Sequence, residues 1–171
     1  MFLNVIKRFF AKRILRNQQT LKVSSIAYPK TKTIGILINV DEVESIEPII
    51  LQLKLNFTNF HFDILVYTEN KSMLEGPKLS TFSFKNLNLF AQFNSVELKE
   101  FVNKDFDILI NYYKNTSLPL ALVAHQSKAK TQVGFANELN NKMVLTIDTD
   151  LSKPQEFFRT LHQYLTLTQL I

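Results

Sequence analysis

Two short stretches hold the side chains best suited to chemistry. Asn39, Asp41 and Glu42 follow one apolar run, and Asn111, Tyr112 and Tyr113 close another. A carboxylate at Asp41 or Glu42 is the group a general base requires, and Asn39, Asn111, Tyr112 and Tyr113 are polar enough to bind and orient a small ligand. The plainer reading is that buried strands end in polar residues. The pairs Asp105/Asp107 and Asp148/Asp150 flank strand ends, where aspartate favours turns and caps. His61, His125 and His162 stand far apart with no His-Glu-x-x-His pattern, so no metal site is expected. Gly35, Gly76 and Gly134 are equally scattered, which leaves no dinucleotide fingerprint and no Walker A loop to cradle a phosphate. There is no Gly-x-Ser-x-Gly elbow, and the absence of cysteine removes thiolate nucleophiles, disulfides and iron–sulfur ligands together. No cofactor is expected, and a reducing compartment is the simplest setting.

The elements that would position these residues alternate. Thr33–Asn39, Phe62–Thr68 and Phe106–Tyr112 are near-continuous apolar runs, the pattern of strands buried on both faces. A weaker strand is expected at Thr81–Phe84, and two more at Thr131–Phe135 and Met143–Ile147. Between them, Ser45 with Pro48 predicts the start of a helix carrying Ile46, Ile49, Ile50 and Leu53 at helical spacing. Asn94 with Glu97 resembles a capping box before Val96–Val102, Ser117–Gln126 reads as a helix with proline in its first turn, and Ser152 with Gln155 opens a last helix. Its stripe of Phe157, Phe158, Leu161, Tyr164 and Leu165 should face inward. Glu69–Lys78, with Gly76-Pro77, reads as a loop. Such alternation predicts an α/β fold: a doubly wound, mostly parallel Rossmann-like sheet of five or six strands over residues 33–171. Its crevice would lie at the carboxyl ends of the first strand and Phe106–Tyr112.

Charge is segregated along the chain. Residues 1–40 hold eight basic side chains and no acid, whereas residues 41–171 hold twelve basic and fifteen acidic, a net of −3. The globular part is therefore not itself a nucleic-acid surface, and no DNA-binding motif occurs. Residues 1–32 read as a basic amphipathic helix and a polar linker. At 100° per residue, Phe2, Leu3, Val5, Ile6, Phe9, Phe10 and Ile14 share about half the circumference, and Lys7, Arg8, Ala11 and Lys12 lie elsewhere. Arg13 and Arg16 intrude into the apolar arc. Basic and apolar pairs alternate without a cleavage site, so the segment is expected to be retained, and no run approaches the roughly 18 to 20 apolar residues of a membrane span. A cytoplasmic protein follows, with peripheral attachment at the inner membrane as the alternative. Phe2, Ile6, Lys7, Arg8, Phe9, Phe10, Lys12, Arg13 and Arg16 could dock an anionic membrane or a protein partner, or meet RNA or the ribosome. The competing expectation is that the apolar face packs on the chain's own domain.

Two stretches carry a resemblance. Ile34–Tyr67 and Asp107–Phe135, with Ser127-Lys128-Ala129-Lys130 and Gly134-Phe135, are similar to the N-terminal half of heptosyltransferase-type glycosyltransferases. That family places Gly-Asp after its first strand, the aspartate six residues before a helix proline; here Asp41-Glu42 precedes Pro48, so the glycine is replaced and Glu42 keeps the spacing of the catalytic acid. No counterpart of the family's sugar-nucleotide-binding second domain follows. The resemblance implies the fold and argues against a self-sufficient transferase. The whole chain also resembles a family of small Bacteroidota proteins whose domain has no assigned function. The expectation is a non-enzymatic adaptor or binding protein; the alternative is a reduced glycosyltransferase-like or small-ligand enzyme at the crevice.

Overall fold

The computed structural model describes residues 2–16, 32–70, 79–115, 117–135, 143–169 and 171. Six strands form one sheet: β1 (Lys32–Asn39), β2 (Phe60–Tyr67), β3 (Ser80–Phe82), β4 (Ile108–Tyr112), β5 (Thr131–Gly134) and β6 (Met143–Thr146). Their order is β3-β2-β1-β4-β5-β6, and every neighbouring pair is parallel. The chain is thus an α/β protein with a Rossmann-like, doubly wound sheet, and β1 and β4 flank the point where the strand order reverses. Among the described residues five α-helices cover it: α1 (Phe2–Arg16), α2 (Glu47–Asn56), α3 (Val96–Asn103), α4 (Leu118–Gln126) and α5 (Pro154–Leu167). The expected linker before Lys32 and the Gly76-Pro77 turn lie outside the described residues.

Alternation along the strands feeds two cores. Ile34, Ile36 and Ile38 of β1, with Ile108, Ile110 and Tyr112 of β4, meet Ile49 and Leu53 of α2 and Phe157, Phe158, Leu161 and Leu165 of α5. Leu37, Leu65 and Leu109 point the other way, onto Leu98 and Phe101 of α3, Leu120 and Val123 of α4, and Ala11 of α1. Phe106, Phe157 and Phe158 are fully buried, each contributing roughly 1.5–3 kcal/mol through removal from water. On the α3 face of β1 a Cβ at Gly35 would stand 2.8 Å from the Phe106 ring, so the position is kept free of a side chain.

Helix starts differ from expectation in three places. Ile46, not Ser45, is the N-cap of α2, and the Ser45 hydroxyl turns instead to the Glu47 carboxylate. Ser95, not Asn94, caps α3 by accepting from the Leu98 N–H, while the Asn94 amide donates to the Lys85 carbonyl. Lys153 precedes α5, and Ser152 bonds Asp150. Tyr164 lies at the edge of the α5 stripe, exposed by about a third. At the amino ends of the strands Asp107, nearly buried, accepts from Lys130 at 2.6 Å and from the Thr33 N–H at 2.9 Å, tying β4 to β5 and β1.

Candidate functional site

The carboxyl ends of β1, β2 and β4 bring Asn39, Asp41 and Glu42 together with the turns that follow β2 and β4. Asn39 is buried and caps a 3-10 turn over Val40–Glu42, its Oδ1 accepting from the Asp41 N–H at 3.2 Å and its amide donating to Glu42. The second Glu42 oxygen accepts from the Lys114 and Asn115 N–H groups at 2.9 and 3.0 Å. Asp41 reaches the other way, accepting from the Thr68 hydroxyl at 2.9 Å and the Glu69 N–H at 3.3 Å. All four oxygens of the two carboxylates therefore accept a bond from the protein itself. These bonds hold three loops together, while Asp41 itself stays exposed.

Asn111, Tyr112 and Tyr113 are fully buried on the two sides of β4. The Tyr113 hydroxyl donates to Asn111 at 3.4 Å, and the Asn111 amide lies 3.5 Å from Gln132, whose own amide donates to the Ala124 carbonyl at 2.7 Å beneath α4. Tyr112 packs in the opposite core against Phe135, Phe157 and Phe158, and its hydroxyl donates to the Leu151 carbonyl at 2.8 Å. Burial, reinforced by Asp150, pushes its phenol above the ordinary range. These side chains serve the interior. Thr68, Glu69 and Gln132, which complete the two networks, carry no motif that would separate them from other polar residues.

Beside these residues lies a cavity of ≈ 400 Å³ lined by Arg8 of α1, Tyr67, Glu69, Phe84 and Ser117. Neither Asp41 nor Glu42 lines it. Burial raises the Tyr67 phenol, and its bond of 2.6 Å to Glu69 adds to the shift. The same Glu69 oxygen, Oε1, also accepts from the Phe84 N–H at 2.9 Å.

α1 divides the basic segment into two faces. Ala11 is fully buried, and Phe10, Ile14 and Leu15 pack against the α3–α4 core. Ile6 and Lys7 are half-buried, and Lys7 and Arg8 stand 5.4 and 6.0 Å from the centre of the Phe84 ring. The opposite face carries Val5 and Phe9, 60% and 64% exposed, together with exposed Arg8, Lys12, Arg13 and Arg16. Among the described residues none of these four cations forms an ion pair. The side chain of Phe2 lies outside the described residues. No helix among them is long and apolar enough to cross a membrane, and no three His, Asp or Glu residues come together as metal ligands.

Fold and site define the class: a Rossmann-like α/β domain whose switch-point carboxylates bond to the loops around them and whose first helix rests on one face. The chain belongs to a family of unknown function (DUF6913), which it matches over residues 5–168, from within α1 to just beyond the end of α5. No curated protein and no solved structure matches it.

Proposed function

We propose that the protein is a non-enzymatic docking module that attaches to an anionic bilayer surface through the outward face of α1. One observation carries the reading: Val5 and Phe9 remain exposed in the middle of a face that also presents Arg8, Lys12, Arg13 and Arg16. Each cation near an anionic surface contributes on the order of 1 kcal/mol at best, while burial of Phe9 adds a part that salt does not screen. Phe10, Ile14 and Ala11 supply the helix's own anchorage, so the outward face presents a fixed array. The engagement of Asp41 and Glu42 in loop-to-loop bonds favours this reading over a carboxylate-based enzyme.

Co-sedimentation across a salt series tests it, using the full chain with phosphatidylglycerol-containing vesicles, neutral vesicles and RNA. Binding to anionic vesicles that persists in part at high salt and is weakened by Phe9→Ser is expected. Binding to RNA alone, falling steeply with salt, would assign the face to nucleic acid instead. Phe9→Ser is preferred to a change at Phe10 because Phe10 belongs to the packed side of the helix.

A further inference from the structure

A second exposed apolar element stands next to α1. Between β3 and α3 the chain forms a small hairpin whose legs, Leu87 and Phe93, pair as an antiparallel bridge and are both buried. Its tip is built around Asn88. The Asn88 side chain accepts from the Phe90 and Gln92 N–H groups, both at 2.9 Å, and its backbone N–H donates to the Gln92 carbonyl at 2.9 Å. Ala91 closes the turn at a φ of 60°, a left-handed conformation uncommon for any residue with a Cβ. The result is a rigid turn that turns its two largest apolar side chains outward, Leu89 at 39% and Phe90 at 58% exposure.

The tip is continuous with the helix. Phe90 meets Phe10 edge to face at 5.3 Å, and Phe10 meets Phe9 in the same manner at 5.7 Å, so three rings link the turn to the outward face of α1. The charge around it has one sign over a long stretch: residues 79–96 include Lys85 and no acid, and exposed Lys99 lines the cavity next to Asn88 and Gln92. Glu97 and Glu100 of α3 border a different cavity, with Asp63 and Lys104. Apolar side chains on a fixed tip, flanked by cations, suit the interfacial zone of an anionic membrane, where rings bury below the headgroups and cations stay among the phosphates.

We infer that the Asn88–Gln92 turn is a second membrane-contacting element, which inserts Leu89 and Phe90 alongside Phe9 and fixes the side of the sheet bearing α1, α3 and α4 toward the bilayer. This rests on reading α1 as a bilayer-docking helix. Two contact points set an orientation that one helix alone would leave free to roll about its axis.

The chain contains no tryptophan, so a single indole reports one position without background. Full-length Phe90→Trp and Phe9→Trp variants are titrated with phosphatidylglycerol-containing vesicles, with and without brominated acyl chains. Emission from both positions should move to the blue and be quenched by the brominated lipid. A Leu89→Ser, Phe90→Ser variant should stay folded with a small shift in thermal midpoint and lose roughly tenfold or more in vesicle partitioning, since the bilayer would bury the roughly half of each side chain that the protein leaves exposed. A response at position 9 with none at position 90 overturns the inference and leaves α1 as the sole anchor. Silence at both positions, with no co-sedimentation of the unsubstituted chain, overturns the docking reading itself. Unchanged partitioning of the double variant also overturns the inference.

Discussion

The carboxyl ends of the central strands and the outward face of α1 carry similar kinds of side chain put to opposite use. At the strand ends Asp41 and Glu42 give every carboxylate oxygen to a partner within the chain. On α1, Arg8, Lys12, Arg13 and Arg16 stand exposed beside Phe9, without an ion pair among the described residues. Charge that is internally bonded holds the fold, and its removal costs stability. Charge gathered around exposed rings contributes little to the fold and is available to something outside it.

This contrast orders the consequences of substitution. The largest loss is expected at Asp107, an internally bonded carboxylate at the other end of the sheet: Asp107→Ala removes the acceptor of the Lys130 ammonium and of the Thr33 N–H and should cost about 3 kcal/mol in chemical denaturation. Burial alone would raise the Asp107 pKa, but the bonds from Lys130 and Thr33 outweigh it and hold the group below its usual value. A pKa lowered on folding means stabilisation that is complete above the unfolded value of about 3.9 and lost as pH falls through the folded one. Asp107→Asn should therefore flatten the acid limb of the stability profile below about pH 4 and leave its shape at neutral pH unaltered.

Glu42→Ala comes next. Releasing the Lys114 and Asn115 N–H groups and the Asn39 amide should cost about 2 kcal/mol, a fall of roughly 4–8 °C in thermal midpoint. A midpoint that stayed or rose would break the comparison, since active-site carboxylates are commonly held at a cost to stability. Tyr112→Phe removes one hydroxyl from the Leu151 carbonyl while keeping the ring stack, for about 1 kcal/mol by the same measurement. Smallest is Phe9→Ser, which should change stability by less than about 0.5 kcal/mol while weakening vesicle binding. A large loss of stability at Phe9 would place that ring in the core and remove the contrast altogether.

Strands were the most legible part of the sequence, because a parallel sheet covered on both faces demands continuous apolar runs such as ILI in β1 and ILI in β4. Helix starts were less so. Ser45, Asn94 and Ser152 each stand next to another residue able to cap or turn, and the choice among neighbours is set by contacts distant in sequence. The Ser83–Asn86 capping box and the Leu87–Phe93 bridge escaped notice because each occupies only a few residues and shows no period. The polar cluster at the switch point could be placed from strand order alone, but not its role. Besides Asn39, Glu42 finds its partners more than seventy residues away on backbone N–H groups, which almost any residue type would have supplied.

α1 is made first and covered late. Its buried side rests chiefly on α4, about 100 residues further along the chain. At translation rates of roughly 5–20 residues per second, that interval is on the order of 5–20 s. Throughout it Ala11 and Ile14 have no α4 to meet, although Phe90, the partner of Phe10, is made earlier. The order of synthesis thus leaves the apolar side of α1 without its main neighbour until α4 follows, while the basic side stays exposed before and after.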